Sequence, residues 1–389
     1  MSHRDWQTDE LRALRKTVTD FARTEILPFH DQWERDGVIP RELSKKVAAL
    51  GLLGLQFPES AGGGGGTMRD MVVVTEALME SGAAAGVYPA LFTTGIACPH
   101  IVNSGNQDLI DRYVAPALAG ERIGSLAITE PGGGSDVGHL RTTAVRDGDH
   151  YVVNGAKTFI TSATRADFFT TAVRTGGDDL PGASGISLIV IDRNTPGFEV
   201  SNRLDKMGWR CSDTAELSFT DVRVPAENLI GFEHSGFIFI AGAFLGERIA
   251  MATQAYSQAQ RCLDLTLQWC RDRETFGRPL ISRQSVQDTL AEMARRIDVA
   301  RTYTRAVVDR HMEGDDVMDL VAEVAFAKNT ATEAGEWVAH QAVQLFGGLG
   351  FMEDSEVARQ YRDMRIIGIG GGTVEIMRQL AARRLGFVA

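Results

Sequence analysis

His150-Tyr-Val-Val153, Lys157-Thr-Phe-Ile-Thr161, Gly185-Ile-Ser-Leu-Ile-Val-Ile191 and Glu216-Leu-Ser-Phe219 are short runs rich in Val, Ile, Thr and Phe, separated by turn chemistry such as Asp147-Gly148-Asp149 and Asn154-Gly155. Branched and aromatic side chains fit a pleated, half-buried surface, and Asp-Gly or Asn-Gly supplies the positive φ of a tight turn, so the runs read as β-strands. They fill the interval from about Ile123 to Gly231. No helix of useful length alternates with them, which disfavours a parallel dinucleotide-binding sheet and removes Gly132-Gly-Gly134 as a fingerprint for one.

On either side the period changes. Leu11, Leu14, Val18, Phe21 and Ile26 recur near the helical repeat, and Leu43, Val47, Leu50 and Leu53 do so again, with Pro28 and the Gly62 to Gly66 run as punctuation. That glycine run lacks the Gly-Lys-Ser/Thr ending of a phosphate loop and reads as a flexible turn. After Ser235 the helical period returns: Val286, Leu290, Met293, Ile297 and Ala300 form one stripe, and Leu320, Val324, Ala327 and Ala331 another. Four long helices are expected there, enough for a bundle. The expected fold class is therefore α+β, with a helical domain over residues 1–122, a β domain over 123–234 and a helix bundle over 235–389.

Composition narrows the function. Across 389 residues, 40 Lys and Arg stand against 51 Asp and Glu, a formal charge of −11 with no long basic run. Nucleic acid and polybasic membrane docking are not expected. Cys98, Cys211, Cys262 and Cys270 form no CxxC pair, and no histidines stand at ligand spacing, so neither a disulfide framework nor a metal is expected. The first ten residues carry acids and lack the apolar core of a signal peptide, which points to a cytoplasmic protein. Ser81 to Val102 has no charge but contains Pro89, Pro99 and three glycines; it reads as a buried helix with turns, and no membrane insertion is expected.

The loop Ile128-Thr-Glu-Pro-Gly-Gly-Gly-Ser-Asp136 packs hydroxyls, small residues and free backbone amides together, a surface that can lie against a planar or phosphorylated ligand. An ordinary glycine-rich turn has the same composition, and the loop alone leaves both readings open. With it come Asn154-Gly155 through Thr161, Arg223-Val-Pro-Ala-Glu-Asn228, Arg273-Glu-Thr-Phe-Gly277, Gln344-Leu-Phe-Gly-Gly348 and the segment from Arg362-Asp363 to Arg378. In this order and over almost the whole chain, the sequence resembles the acyl-CoA dehydrogenase family. The resemblance implies a helical N-terminal domain, a central β-barrel and a C-terminal four-helix bundle. It also implies bound FAD, desaturation of an acyl-CoA thioester between its α and β carbons, an electron-transfer flavoprotein as partner, and a homotetramer built as two dimers.

Carried over by position, the resemblance assigns FAD contacts to Leu126, Ala127, Ile128, Thr129 and Ser135, with Thr129 facing the flavin and Ser135 also touching the CoA chain. Phe159, Ile160 and Thr161 match a second flavin-contacting strand; the family usually has Trp in the place of Phe159. Arg273, Phe276, Gln284, Gln344, Gly347 and Gly348 match residues that reach the FAD of a neighbouring subunit, Arg273 as a guanidinium fork for pyrophosphate. Thr373 and Glu375 match further flavin contacts, and Arg248, Gly370 and Gly372 match the substrate pocket. Taken by itself, Arg273 reads as a solvated arginine at a helix end.

Much of the family places its catalytic glutamate directly before a Gly-Thr pair near the C-terminus. Here that segment is Ile369-Gly-Gly-Gly-Thr-Val-Glu375, and Gly371 takes the place. The family branch that includes long-chain and isovaleryl-type enzymes instead puts the base in a Glu-Arg pair on the first helix of the bundle, which matches Glu247-Arg248. Phe237, Ile240, Phe244, Glu247 and Met251 share one helical face, apolar except for the carboxylate, and Ser235 to Gly246 carries no charge. Desolvation there raises a carboxyl pKa towards neutrality. Gly371 retains a backbone N–H for the thioester carbonyl, and a glutamate restored at Gly371 is expected to rescue part of the activity of a chain lacking Glu247. Two alternatives keep the scaffold: a non-catalytic acyl-CoA- and FAD-binding subunit, and a flavin oxidase.

Overall fold

The computed structural model describes residues 6–177, 179–316 and 318–388. Thr8 accepts a hydrogen bond from Leu11 N and opens α1 (Asp9–Phe21), whose Leu11 and Val18 are buried. α2 (His30–Asp36) and α3 (Glu42–Ala49) follow. The glycine run is a turn tied back to Gly54 and Leu55 by the Gly64 and Gly66 N–H groups. A reciprocal capping box between Thr67 and Asp70 then starts α4 (Met68–Glu80). Glu76, in the buried middle of α4, accepts from Tyr256 and Arg305 and pairs with Arg15, tying α1 and α4 to the bundle. Ser81 to Val102 is mostly buried and broken into short helices, Val87–Phe92, Thr94–Ala97 and Pro99–Asn103, as its prolines and glycines imply.

The eight strands of the middle region are β1 (Gly124–Ala127), β2 (Thr143–Asp147), β3 (His150–Thr161), β4 (Phe168–Arg174), β5 (Ile186–Asp192), β6 (Phe198–Arg203), β7 (Thr214–Pro225) and β8 (Leu229–Ile230). They form one sheet in the order β6-β7-β3-β2-β4-β5-β8, with β1 parallel to β4. The expected β-barrel is not formed: β6 and β8 end the strand order without pairing to each other and the sheet stays open. β8 is only two residues long, and Glu199 and Ser201 to Arg203 leave the β6 edge polar and exposed. Curling is also unnecessary, because helices cover part of the outer face. On β4 and β5, Phe168, Ala172, Ile186, Leu188 and Val190 pack with helical residues such as Ile101, Tyr113 and Ile240. Their neighbours Phe169, Val173, Ile189 and Ile191 pack with β3 and β7 inside the sheet. Both faces are buried, which is why Ile186 to Ile191 reads as an almost continuous apolar run.

The C-terminal region has three long helices rather than four: α5 (Gly236–Asp272), α6 (Gln284–Met312) and α7 (Val321–Phe346). The fourth is split into α8 (Glu356–Met364) and α9 (Val374–Arg384) by a segment in which Gly371 and Gly372 take φ of 62 and 96. Among the described residues α5 alone is long and apolar enough to cross a membrane; here it packs against α4, α6 and α7. The four cysteines are unpaired and buried.

Candidate active site

The carboxylate of Glu247, near the start of α5, and the interrupted segment before α9 come together at one end of the bundle. Glu247 Oε1 lies 3.5 Å from the position that a Cβ on Gly371 would occupy. Any such Cβ would also run into Met251 Sδ unless that side chain moved, and the backbone there is left-handed, so glycine is favoured on both counts. Glu247 is half-buried, and among the described residues its carboxylate makes no hydrogen bond or ion pair. Burial pushes its pKa up, and the nearby charges of Arg248 and Lys328 pull against that rise.

Arg248 does not pair with its neighbour Glu247. Its Nε donates to Gly371 O at 3.1 Å, and its guanidinium lies over Phe244, 4.7 Å from the ring centroid. Gly370 and Gly372 flank this contact, and both carbonyls accept from Lys328 on α7, the Gly370 one at 2.7 Å. Asn329 extends the attachment by donating to Val374 O at 3.1 Å. The Gly371 N–H has no acceptor among the described residues, leaving a donor beside a carboxylate with none of its own partners.

The glycine loop and the β3 segment also meet. Thr158 N donates to Thr129 O at 2.9 Å, which places Thr129 next to Phe159. Phe159 interrupts the β3–β7 register at a bulge, takes φ of 60 and leaves its ring 67% exposed, an orientation that presents an aromatic face outward. Gly132 and Gly133 have open space where a side chain would stand, and Ser135 is exposed. Thr129, Thr161 and Leu126 are half-buried, whereas Ala127 and Ile160 are in the sheet core, so those two have only backbone to offer a ligand. Ile128 packs on the same core cluster as Phe244, one turn before Glu247 on α5, which links this surface to the carboxylate.

The remaining candidates divide. Thr373 is the N-cap of α9, accepting from Ile376 N at 3.3 Å, and the exposed Glu375 has its pKa lowered by hydrogen bonds at this helix start. Arg273, Phe276, Gln284, Gln344, Gly347 and Gly348 lie at the other end of the bundle. There Arg273 sits over Trp269, 5.8 Å away, and Trp269 stacks on Phe346 and donates to Leu345 O. Glu247 and Arg273 are separated by 26 residues of α5, roughly 39 Å of helix, so one chain does not bring them into one site.

Two functional candidates escaped the sequence reading. Lys157 is fully buried and donates to Glu130 Oε1 at 2.8 Å and to Ile128 O at 3.1 Å; Glu130 also accepts from Arg141 N at 2.6 Å and Thr142 N at 2.8 Å. Burial pushes the Glu130 carboxyl up, but the Lys157 charge and these hydrogen bonds outweigh it and hold the pKa low. Lys328 is the other, and its signal was present: a lysine directly after Ala327 on the buried stripe of α7.

Models of the acyl-CoA dehydrogenase N-terminal, middle and C-terminal domains match residues 8–121, 125–222 and 234–386. Among proteins similar to the chain, a mitochondrial long-chain specific acyl-CoA dehydrogenase of Rattus norvegicus is 37% identical over 95% of this chain and 85% of the relative. A mitochondrial short-chain specific acyl-CoA dehydrogenase of Mus musculus is 35% identical over 98% and 92%. A crystal structure of a putative acyl-CoA dehydrogenase from Mycobacterium smegmatis superposes with a TM-score of 0.97 at 67% identity, covering 99% and 100% of the two chains. A structure of PigA with FAD and proline does so with a TM-score of 0.92 at 26% identity, covering 98% of each.

Proposed function

The chain belongs to the acyl-CoA dehydrogenase family, and on that premise we propose that Glu247 takes the α-proton of an acyl-CoA thioester while the Gly371 N–H donates to its carbonyl. The protein is an FAD-dependent oxidoreductase that desaturates an acyl-CoA between its α and β carbons. One observation carries the assignment of roles: a carboxylate and an N–H that are both unpaired among the described residues converge at Gly371.

An α-proton beside a thioester is weakly acidic, so the base must be basic near neutral pH and the carbonyl oxygen must be stabilised as negative charge develops on it. Burial of Glu247 serves the first need. A backbone donor serves the second without any side chain at position 371. When bound, FAD supplies the acceptor for the β-hydride at its N5.

Thr129, the outward ring of Phe159 and the half-buried Thr161 fit a planar ligand, with Leu126, Ile128 and the backbone of Ala127 and Ile160 behind them. Ser135 serves both FAD and the CoA chain, and Thr373 and Glu375 complete the flavin side. Arg248, Gly370 and Gly372 shape the thioester pocket. The division into units at residues 122/123 and 234/235 belongs to the same reading.

A glutamate on the first bundle helix, followed by Arg248, supports the branch that includes long-chain and isovaleryl-type enzymes. Electrons pass to an electron-transfer flavoprotein, and the assembly is a cytoplasmic homotetramer. The exposed Phe276 and Phe351, near the end of the bundle that carries Arg273, support burial by another copy. Under anaerobic conditions, a panel of acyl-CoA thioesters is expected to bleach the flavin with at least one member; bleaching by none would leave only the binding-subunit reading.

Arg273 makes no ion pair or side-chain hydrogen bond among the described residues and is exposed, free to meet a phosphate of a neighbour's FAD. Arg273→Ala is expected to lower FAD retention after desalting while the melting temperature of the FAD-depleted protein stays parental. Parental retention would remove the intersubunit role.

A further inference from the structure

Lys328 carries a charge into the interior without an ion-pair partner among the described residues. Its side chain is fully buried, and among the described residues its only hydrogen bonds go to the carbonyls of Gly370 and Gly372. Burial, with a smaller push from Arg248, lowers its pKa to about 8 against the pull of Glu247. A buried ammonium is costly unless compensated. A neutral amide would tether a loop at less cost, so a merely structural tie does not explain the charge.

Backbone geometry gives the consequence. In a trans peptide the carbonyl and the N–H of one unit point in opposite directions. The Gly370 carbonyl and the Gly371 N–H belong to one such unit, so when Lys328 captures the carbonyl at 2.7 Å, the N–H is turned away from α7. The next carbonyl, Gly371 O, is held by Arg248 from α5, and the one after it, Gly372 O, again by Lys328. Three successive carbonyls are therefore held by two cations across a stretch whose glycine dihedrals would otherwise leave it loose.

We propose that Lys328 is a positioning residue for the reaction: it aims the Gly371 N–H and, with Arg248, places positive charge behind the Glu247 carboxylate. This rests on the reading of Glu247 as base. The charged groups that face Glu247 are Arg248 on its own helix and Lys328 on α7. Arg248 stays in every variant below, so a displaced titration reports on Lys328.

The test compares Lys328→Met, which removes charge and donors, with Lys328→Gln, which removes the charge and keeps an amide donor on a side chain one atom shorter; the Gln variant carries the test if the Met variant does not fold. Both are followed by steady-state kinetics across pH and by exchange of the α-hydrogens of phenylacetyl-CoA in D2O. That thioester has no β-hydrogen, so exchange reads proton abstraction apart from flavin reduction. Expected are parental FAD content, a fall in kcat and exchange of about 10²-fold in Lys328→Met with KM nearly unchanged, and a smaller fall in Lys328→Gln. The acid limb of kcat should move to higher pH in both, because losing a cation makes the carboxyl easier to protonate. Parental exchange with an unmoved acid limb in Lys328→Gln would overturn the proposal, as would a rise in KM at constant kcat. Glu247→Gln run alongside separates the two claims: if it exchanges at the parental rate, the base is misassigned and Lys328 is not the cause.

Discussion

Glu247→Gln is expected to bind acyl-CoA almost as the parent does and to reduce its flavin several orders of magnitude more slowly, beyond the ~10²–10⁴ that a single general base contributes. The size follows from the site. Glu247 is the carboxylate placed at Gly371, Arg248 is committed to Gly371 O, and Lys328 is a cation, so among the described residues no second base stands beside Gly371. Glutamine keeps the volume and so tests the proton acceptor rather than packing. Anaerobic stopped-flow bleaching measures the rate, and isothermal titration measures binding. A parental rate in the variant would end the assignment. In the parent, activity should fall as pH drops through the raised pKa of Glu247, that is, above the ordinary carboxylate range. The rescue by Gly371→Glu that the sequence invites is not expected: position 371 has a left-handed backbone and its side chain would enter the space of Met251 Sδ.

Lys157→Met should destabilise the protein by about 3–5 kcal/mol, the usual consequence of removing one partner from a buried ion pair. Glu130 would stay buried with two backbone donors and no cation. The loss reaches function because Lys157 also holds Ile128 O, so the attachment between the loop and the strand that present Thr129 and Phe159 would be weakened, with the Thr158 N–Thr129 O hydrogen bond remaining. Denaturant unfolding should show the loss, and the flavin content of the purified variant should fall with it. Adding Glu130→Gln is expected to recover part of the stability by removing the stranded charge. Stability within about 0.5 kcal/mol of the parent, the range of ordinary surface substitutions, would mean that the pair holds nothing.

The amino-acid sequence alone determined the order of helical, strand and helical regions, because side-chain periods of 3.6 and 2 are local properties that survive without knowledge of neighbours. It also pointed to Glu247, through the resemblance to a family branch with a Glu-Arg pair on the first bundle helix, and the uncharged, apolar helical face around that carboxylate agrees with it. Closure of the sheet was beyond it: alternation tells which side chains face inward, and only the pairing of strands shows that β6 and β8 remain edges. The fourth long helix failed because glycine propensity over residues 370–372 marks a break, while the contacts with Lys328 and Arg248 decide what the break is for. Lys328 is 42 and 44 residues from its acceptors Gly370 and Gly372, and Lys157 lies 27 from Glu130, so these pairings exist only once the chain has folded back on itself. Tertiary structure alone decided these, because a buried charge is defined by which distant groups replace its lost water.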